Sequence, residues 1–236
     1  MDKRYTFIYT NQMNNSIKSV LVTGASNGIG FDLTQKLLAE GAEVIAVTRS
    51  GKVADYTHPK LTVFQADISN AESINKVAQQ IEAAGIKIDV LINNAGVGLD
   101  LGDEVPTAEL MNATFATNTT GTVLFTEALL NNLNEGGQIV FLSTAMALLR
   151  NAAPNAPAYR MSKAAINMYA VMLSQRLAER NIRVTPLHPG WVQTRMGGDT
   201  APVTIEQSVN GIFKAITENT ETGKFWNIEL GMLEEY

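Results

Sequence analysis

The chain predicts an α/β fold, a doubly wound parallel sheet of about seven strands with helices on both faces. Two observations carry that expectation. Short apolar runs of strand length alternate with longer stretches of helical periodicity. Several of the short runs are apolar throughout, as strands covered on both faces must be. Such alternation builds right-handed βαβ crossovers, which lay helices on both sides of a parallel sheet.

In chain order, strands are expected at residues 19–23 (SVLVT), 44–48 (VIAVT), 61–65 (LTVFQ), 88–92 (IDVLI), 138–142 (QIVFL), 183–187 (RVTPL) and 224–230 (KFWNIEL). β-branched and aromatic residues dominate these runs, which suits a pleated, buried surface. Helices are expected between them at 29–39, 71–83, 107–117, 119–133, 157–179 and 205–217. Two starts carry a capping-box spacing, Ser69 with Glu72 and Thr204 with Gln207, in which paired side chains satisfy backbone N–H groups at a helix entrance. There is no internal repeat, low-complexity tract or linker, so residues 17–236 are expected to form one domain behind a short extension, residues 1–16. Met13 is an alternative start within that extension.

Composition narrows the function classes. With 236 residues, 45% hydrophobic and 17% charged, the chain can bury one large core. It has no cysteine, which excludes disulfides, thiolate nucleophiles and cysteine-based zinc sites and suits a reducing cytoplasm, the expected location. A net charge of −5 argues against a nucleic-acid partner. No run approaches the roughly 18 apolar residues of a membrane helix, and residues 1–17 lack the continuous apolar core of a signal peptide. The two histidines, His58 and His188, have no ligand spacing, so no metal is expected; His188, before Pro189, reads as structural or pocket-lining.

The first chemical signal is VLVTGASNGIG, residues 20–30. An apolar strand runs into Gly24, Gly28 and Gly30 and then into a helical segment, where a pyrophosphate can meet backbone N–H groups and the positive helix end. Glycine leaves room for a tight turn, for the phosphate and for helix packing. The second strand ends VIAVTRS, residues 44–50, with Thr48 at the place of the carboxylate that would hold the ribose 2′-hydroxyl of NAD, and Arg49 next to it. A cation there, with no acid to repel a phosphate, favours NADP(H) over NAD(H). Further on, YRMSKAAIN puts Tyr159 and Lys163 four residues apart in a helix-favouring run, so both side chains look to one side of a helix.

Together with ADIS at 66–69, NNAG at 93–96, NTTG at 118–121 and HPGWVQT at 188–194, these stretches resemble the short-chain dehydrogenase/reductase family over nearly all of the chain from residue 17. YRMSKAAINM and the segment from HPGWVQT onward further resemble its compact C-factor-like and sniffer-like carbonyl reductases. The resemblance implies a Rossmann-type sheet and an NAD(P)-dependent oxidoreductase that transfers hydride between nicotinamide and a small carbonyl or alcohol. Tyr159 would be the general acid/base, and Lys163 would tune it and hold the nicotinamide ribose. Asn118 would stabilise a helix bend and hold a water of the proton relay. The place of the family's serine falls on Thr144, with Ser143 as its rival, and the interval to Tyr159 is about two residues longer than usual. The resemblance further assigns cofactor contacts to Gly24, Ser26, Asn27, Gly28, Ile29 and Gly30, to Asp67 and Ile68 at the adenine, and to Asn94, Ala95 and Gly96 along the dinucleotide, with Asn93 bracing strands. Pro189, Gly190, Val192 and Thr194 would cover the nicotinamide amide. A short lid, residues 191–203, implies an open pocket that Trp191, Met196 and Met146 are candidates to line. A homodimer or homotetramer is expected, paired through the helices carrying Asn118 and Tyr159. The alternative function is an NADP(H)-binding signalling or regulatory protein with little turnover.

Overall fold

The computed structural model describes residues 17–236; the expected extension and the alternative start at Met13 lie outside the described residues. Eight strands form one sheet: β1 Ser19–Thr23, β2 Glu43–Thr48, β3 Leu61–Gln65, β4 Ile88–Asn93, β5 Leu133–Leu142, β6 Arg183–His188, β7 Phe225–Asn227 and β8 Met232–Glu234. Their spatial order is β3-β2-β1-β4-β5-β6-β7-β8. Every pairing from β1 to β7 is parallel, and β8 returns antiparallel on β7. The Rossmann-type architecture read from the sequence is therefore present, with one more strand than expected.

Period-two alternation divides the core into two layers. Leu21, Ile45, Leu91, Ile139 and Phe141 face one side of the sheet, among Ile74, Val77, Phe125, Leu129, Ile166 and Leu173. Those partners come from α2 Ala71–Ala83, α4 Thr122–Leu129 and α5 Pro157–Arg176. Val20, Val22, Val44, Ala46, Val90 and Ile92 face the other side, with Leu33, Leu37, Val209, Ile212 and Phe213 of α1 Gly28–Ala39 and α6 Ile205–Glu218. A sheet covered on both faces explains why its strands lack polar alternation. No helix among the described residues is long and apolar enough to cross a membrane.

Four local expectations need correction. The helices expected at 107–117 and 119–133 are one run, α3 Ala108–Phe115 and α4, joined by π-helical turns over Ala116–Gly121. A Cβ on Gly121 would collide with the Ile68 carbonyl, so the bend presses against the loop after β3. Strand β5 begins at Leu133 rather than 138, through a register irregularity opposite β4 and Gly136 at φ +73°. The expected strand 224–230 stops at Asn227, because a turn at Gly231 (φ +64°) reverses the chain into β8. Asn70, not Ser69, caps α2 by accepting the Ser73 N–H at 2.8 Å, because the Ser69 hydroxyl is already donated to Asp67 at 2.6 Å. The Thr204–Gln207 capping box forms in full, with bonds of 3.1 and 2.9 Å.

Candidate active site

Strand order runs outward in opposite directions from β1 and β4, which are neighbours. Their crossovers leave on opposite sides, and a crevice opens at the carboxyl ends of the two strands. The Thr23 hydroxyl accepts the N–H groups of Asn94 and Ala95 at 3.1 and 3.0 Å. In return, Asn94 Nδ2 donates to the carbonyls of Thr23 and Gly24 at 2.8 and 3.2 Å. Asn94 thus braces the glycine turn with its side chain, while Asn93 ties β4 to Thr126 of α4 at 3.0 Å. A Cβ on Gly24, which sits at φ +68°, would stand 2.9 Å from Ala95 Cα, and one on Gly30 would run into Asn94 and the Gly24 carbonyl.

The N-terminus of α1 opens into this turn without a side-chain cap. Asn27 makes no cap bond and no acid lies in the first turn, whereas α2, α3 and α6 each have a side-chain cap and an acid there. The first N–H groups of α1 are thus left for an anion. Ser26 and Asn27 bond each other at 3.3 Å, and Ile29 packs against the core beneath. A Cβ on Gly28 would lie 3.6 Å from Thr194 Cγ2, so the segment after β6 closes against the glycine turn. In that segment Pro189 accepts the Ser208 hydroxyl at 2.7 Å, Gly190 adopts φ +84°, and Val192 is buried and bridges to Val203.

At the far end, Thr48 is buried and its hydroxyl has no partner, while Arg49 is exposed. Asp67 accepts both the hydroxyl and the N–H of Ser69, which holds its carboxyl below the usual range, and Arg49 adds to that lowering. Arg49 and Asp67 therefore lie close enough to interact, next to the buried Ile68. The cradle around Gly24, Gly28 and Gly30 and the open α1 terminus fit a dinucleotide.

Tyr159 and Lys163 are both buried on α5. Burial pushes the Tyr159 phenol up to about 12, with the Thr144 hydroxyl against it pulling the other way. Burial pushes the Lys163 ammonium down to about 8, and its Nζ donates to the Leu142 carbonyl at the end of β5, 2.7 Å away. Ser143 gives its hydroxyl to Asn167 Oδ1 at 2.6 Å. Asn118, in the π-helical turns, spends its side chain on the backbone of Val97: Oδ1 accepts the N–H and Nδ2 donates to the C=O, both at 2.8 Å, and Nδ2 also reaches Ser162 Oγ at 3.1 Å. Gly96 joins the two halves of the crevice, since a Cβ there would lie 3.3 Å from both Lys163 Nζ and Asn118 Oδ1.

Two residues that sequence reasoning missed shape this region. Asp100 is fully buried and accepts the N–H groups of Ala158 and Tyr159. Arg160 gathers the segment between Thr144 and Tyr159, bonding the carbonyls of Met146, Asn151 and Asn155 and the Asn155 side chain at 2.8–3.1 Å. Arg150 in the same segment pairs with Glu234 on β8. Trp191 is 54% and Met196 43% exposed, while Met146 is half-buried. The indole is held by a 2.8 Å bond from Nε1 to the Gly197 carbonyl.

Residues 18–203 match the family model described as short chain dehydrogenase. Among solved structures, the fold is similar to NADPH-bound carbonyl reductase from chicken fatty liver, with TM-score 0.85 and 31% identity over 93% of this chain and 99% of that one. It is also similar to the carbonyl reductase Sniffer of D. melanogaster, with TM-score 0.86 and 26% identity over 93% and 100% of the two chains. In sequence, the chain is 41% identical to C-signal of Myxococcus xanthus over 150 residues, covering 60% of this chain and 89% of C-signal.

The buried amine has a measurable signature. Between pH 8 and 10.5 the folded chain carries Lys163 neutral while the unfolded chain still protonates it, so stability rises with pH across that window; below pH 8 both states carry the proton and the folded state bears the burial cost. Unfolding free energies of the native protein and Lys163→Met, compared by denaturant titration, are expected to diverge across this window by on the order of 3 kcal/mol in favour of the native lysine.

Proposed function

This chain belongs to the short chain dehydrogenase family, and from that premise we propose that it is an NADP(H)-dependent oxidoreductase acting on a small carbonyl or alcohol. The observation that carries the reading is the convergence at Gly96, where the turn fitted to the dinucleotide meets Lys163 and Asn118 within 3.3 Å of one point. A bound nicotinamide supplies or accepts the hydride, and the chain supplies geometry and a proton. Tyr159, kept protonated by burial, gives its proton to the substrate carbonyl oxygen. Thr144 holds that oxygen, because its hydroxyl lies against the phenol while that of Ser143 is engaged with Asn167. Lys163 orients the nicotinamide ribose and, with a water held by Asn118, returns the proton. The glycine turn with Ser26, Asn27 and Ile29 takes the pyrophosphate. Asp67 and Ile68 take the adenine, Asn94, Ala95 and Gly96 line the dinucleotide, and Pro189, Gly190, Val192 and Thr194 cover the amide. Arg49, with Thr48 where an acid would exclude a phosphate, selects NADP(H).

The lid at 191–203 is short and tied at its base by the Val192–Val203 bridge, so the pocket is open and suits small or flat compounds. The identity with C-signal favours a second reading, a cofactor-binding signalling protein with little turnover. A second copy of the chain is proposed to cover α4 and α5, where Leu124, Met161, Met168 and Met172 are exposed. Met161, Met168 and Met172 recur on one face of α5.

With a panel of aldehydes, ketones and quinones, Tyr159→Phe is expected to keep NADPH binding and lose at least 100-fold in turnover; near-native rates would remove Tyr159 as the acid, and a native protein that binds NADPH yet reduces nothing would favour the signalling reading. Arg49→Ala is expected to reduce the NADPH-over-NADH ratio of kcat/KM by about tenfold, equivalent to one charge-assisted bond, and an unchanged ratio would discard the assignment. In sedimentation velocity the native protein is expected as a dimer or larger, and the double variant Met168→Lys with Met172→Lys as the 25.5 kDa monomer.

A further inference from the structure

The first-turn N–H groups of a helix need acceptors, and α5 has none of its own. Its N-cap is Ala156, held at φ 56°, with no side-chain cap and no acid in the first turn. The acceptors come from Asp100, 58 residues earlier in the chain: Oδ2 takes the Ala158 N–H at 2.6 Å and Oδ1 takes that of Tyr159 at 3.1 Å. The Asp100 side chain has no solvent exposure and pairs with no cation among the described residues. A carboxylate in that position is tolerated only through its hydrogen bonds.

The backbone of Tyr159 is also held from its other side, since its carbonyl accepts the Ser162 hydroxyl at 2.8 Å. Ser162 in turn accepts from Asn118, whose side chain is locked to Val97. Val97 and Asp100 belong to the segment that leaves Gly96. The same segment accepts Asn155 Nδ2 at the Leu101 carbonyl, 3.1 Å, and the Ala156 N–H at the Asp103 carbonyl, 2.8 Å. The stretch after β4 is therefore stitched to the start of α5 at four places.

We propose that Asp100 is a positioning residue: it anchors the Tyr159 backbone to the segment after Gly96, so that the phenol is registered against the dinucleotide turn rather than against its own helix alone. The inference rests on the reading of Tyr159 as the proton donor. A displacement of about 1 Å at a reacting group costs on the order of 100-fold in rate, which is the leverage such an anchor has.

Asp100→Asn keeps the shape and one acceptor oxygen but turns an NH2 group toward an N–H donor; Asp100→Ser keeps a shorter, neutral acceptor. In the full chain, Asp100→Asn is expected to lower kcat by 10- to 100-fold, with KM and the NADPH dissociation constant within threefold of native. In the Tyr159→Phe background the same substitution is expected to cost less than threefold, because its effect runs through the phenol. Amide hydrogen exchange at Ala158 and Tyr159, read without substrate, is expected to accelerate at least tenfold. Native kcat in a folded Asp100→Asn, or parallel losses in kcat, KM and NADPH binding, would overturn the inference. Unchanged exchange would do so whether or not turnover is found. If the Asn variant does not fold, Asp100→Ser takes the same tests with the same outcomes. A native protein that reduces no carbonyl overturns the function proposed above, and the exchange measurement still decides the anchor.

Discussion

Parallel pairing of β1 with β4, Val20 beside Val90, Leu21 beside Leu91 and Val22 beside Ile92, is the constraint that creates the crevice. Two strands far apart in sequence are brought together, and their connections depart to opposite faces of the sheet. The loops that leave the two strands then hold each other: Thr23 receives the N–H groups of Asn94 and Ala95, and Asn94 donates to both carbonyls of the glycine turn. The glycines at 24 and 30 are a consequence of that proximity, because a side chain on either would occupy space already taken by the second loop.

The proposed chemical groups sit one layer further along the sheet, and burial acts on them in opposite directions on the pH scale with one result. The phenol of Tyr159 is harder to ionise and the amine of Lys163 easier to neutralise, so the interior disfavours charge on either. Burial alone leaves the phenol protonated but a weak acid, and the Thr144 hydroxyl acts against that shift. The Leu142 carbonyl keeps the amine at the end of β5, close to Gly96.

Most of the scaffold was legible in the sequence because the central parallel strands, such as β1 and the second half of β5, are buried on both sides and therefore written as apolar runs. Legibility ended where structure depends on a competition between neighbours. Ser69 and Glu72 have the spacing of a cap, yet the serine prefers the carboxylate of Asp67 and leaves the task to Asn70. FWNIEL reads as one strand, but three residues pair before Gly231 turns the chain back. The glycine turn and the Tyr159–Lys163 pair were readable from their spacing, whereas Thr144 and Asn118 were named only through the family resemblance; the structure brings all four side chains to one side of the crevice. Asp100 was not readable, because an acid in GLDLGD carries no local sign that it will serve a helix beginning more than fifty residues later. Nor could spacing tell that the Ser143 hydroxyl is given to Asn167 while that of Thr144 lies against the Tyr159 phenol.

Of the ties on the segment between Thr144 and Tyr159, the guanidinium of Arg160 makes the most, gathering three carbonyls and one side-chain oxygen. None of those bonds is made to the backbone of Tyr159, whose N–H goes to Asp100 and whose C=O accepts the Ser162 hydroxyl. Three of the four bonds go to backbone carbonyls, which every residue type carries, so they fix the path of the segment with little demand on which side chains it bears.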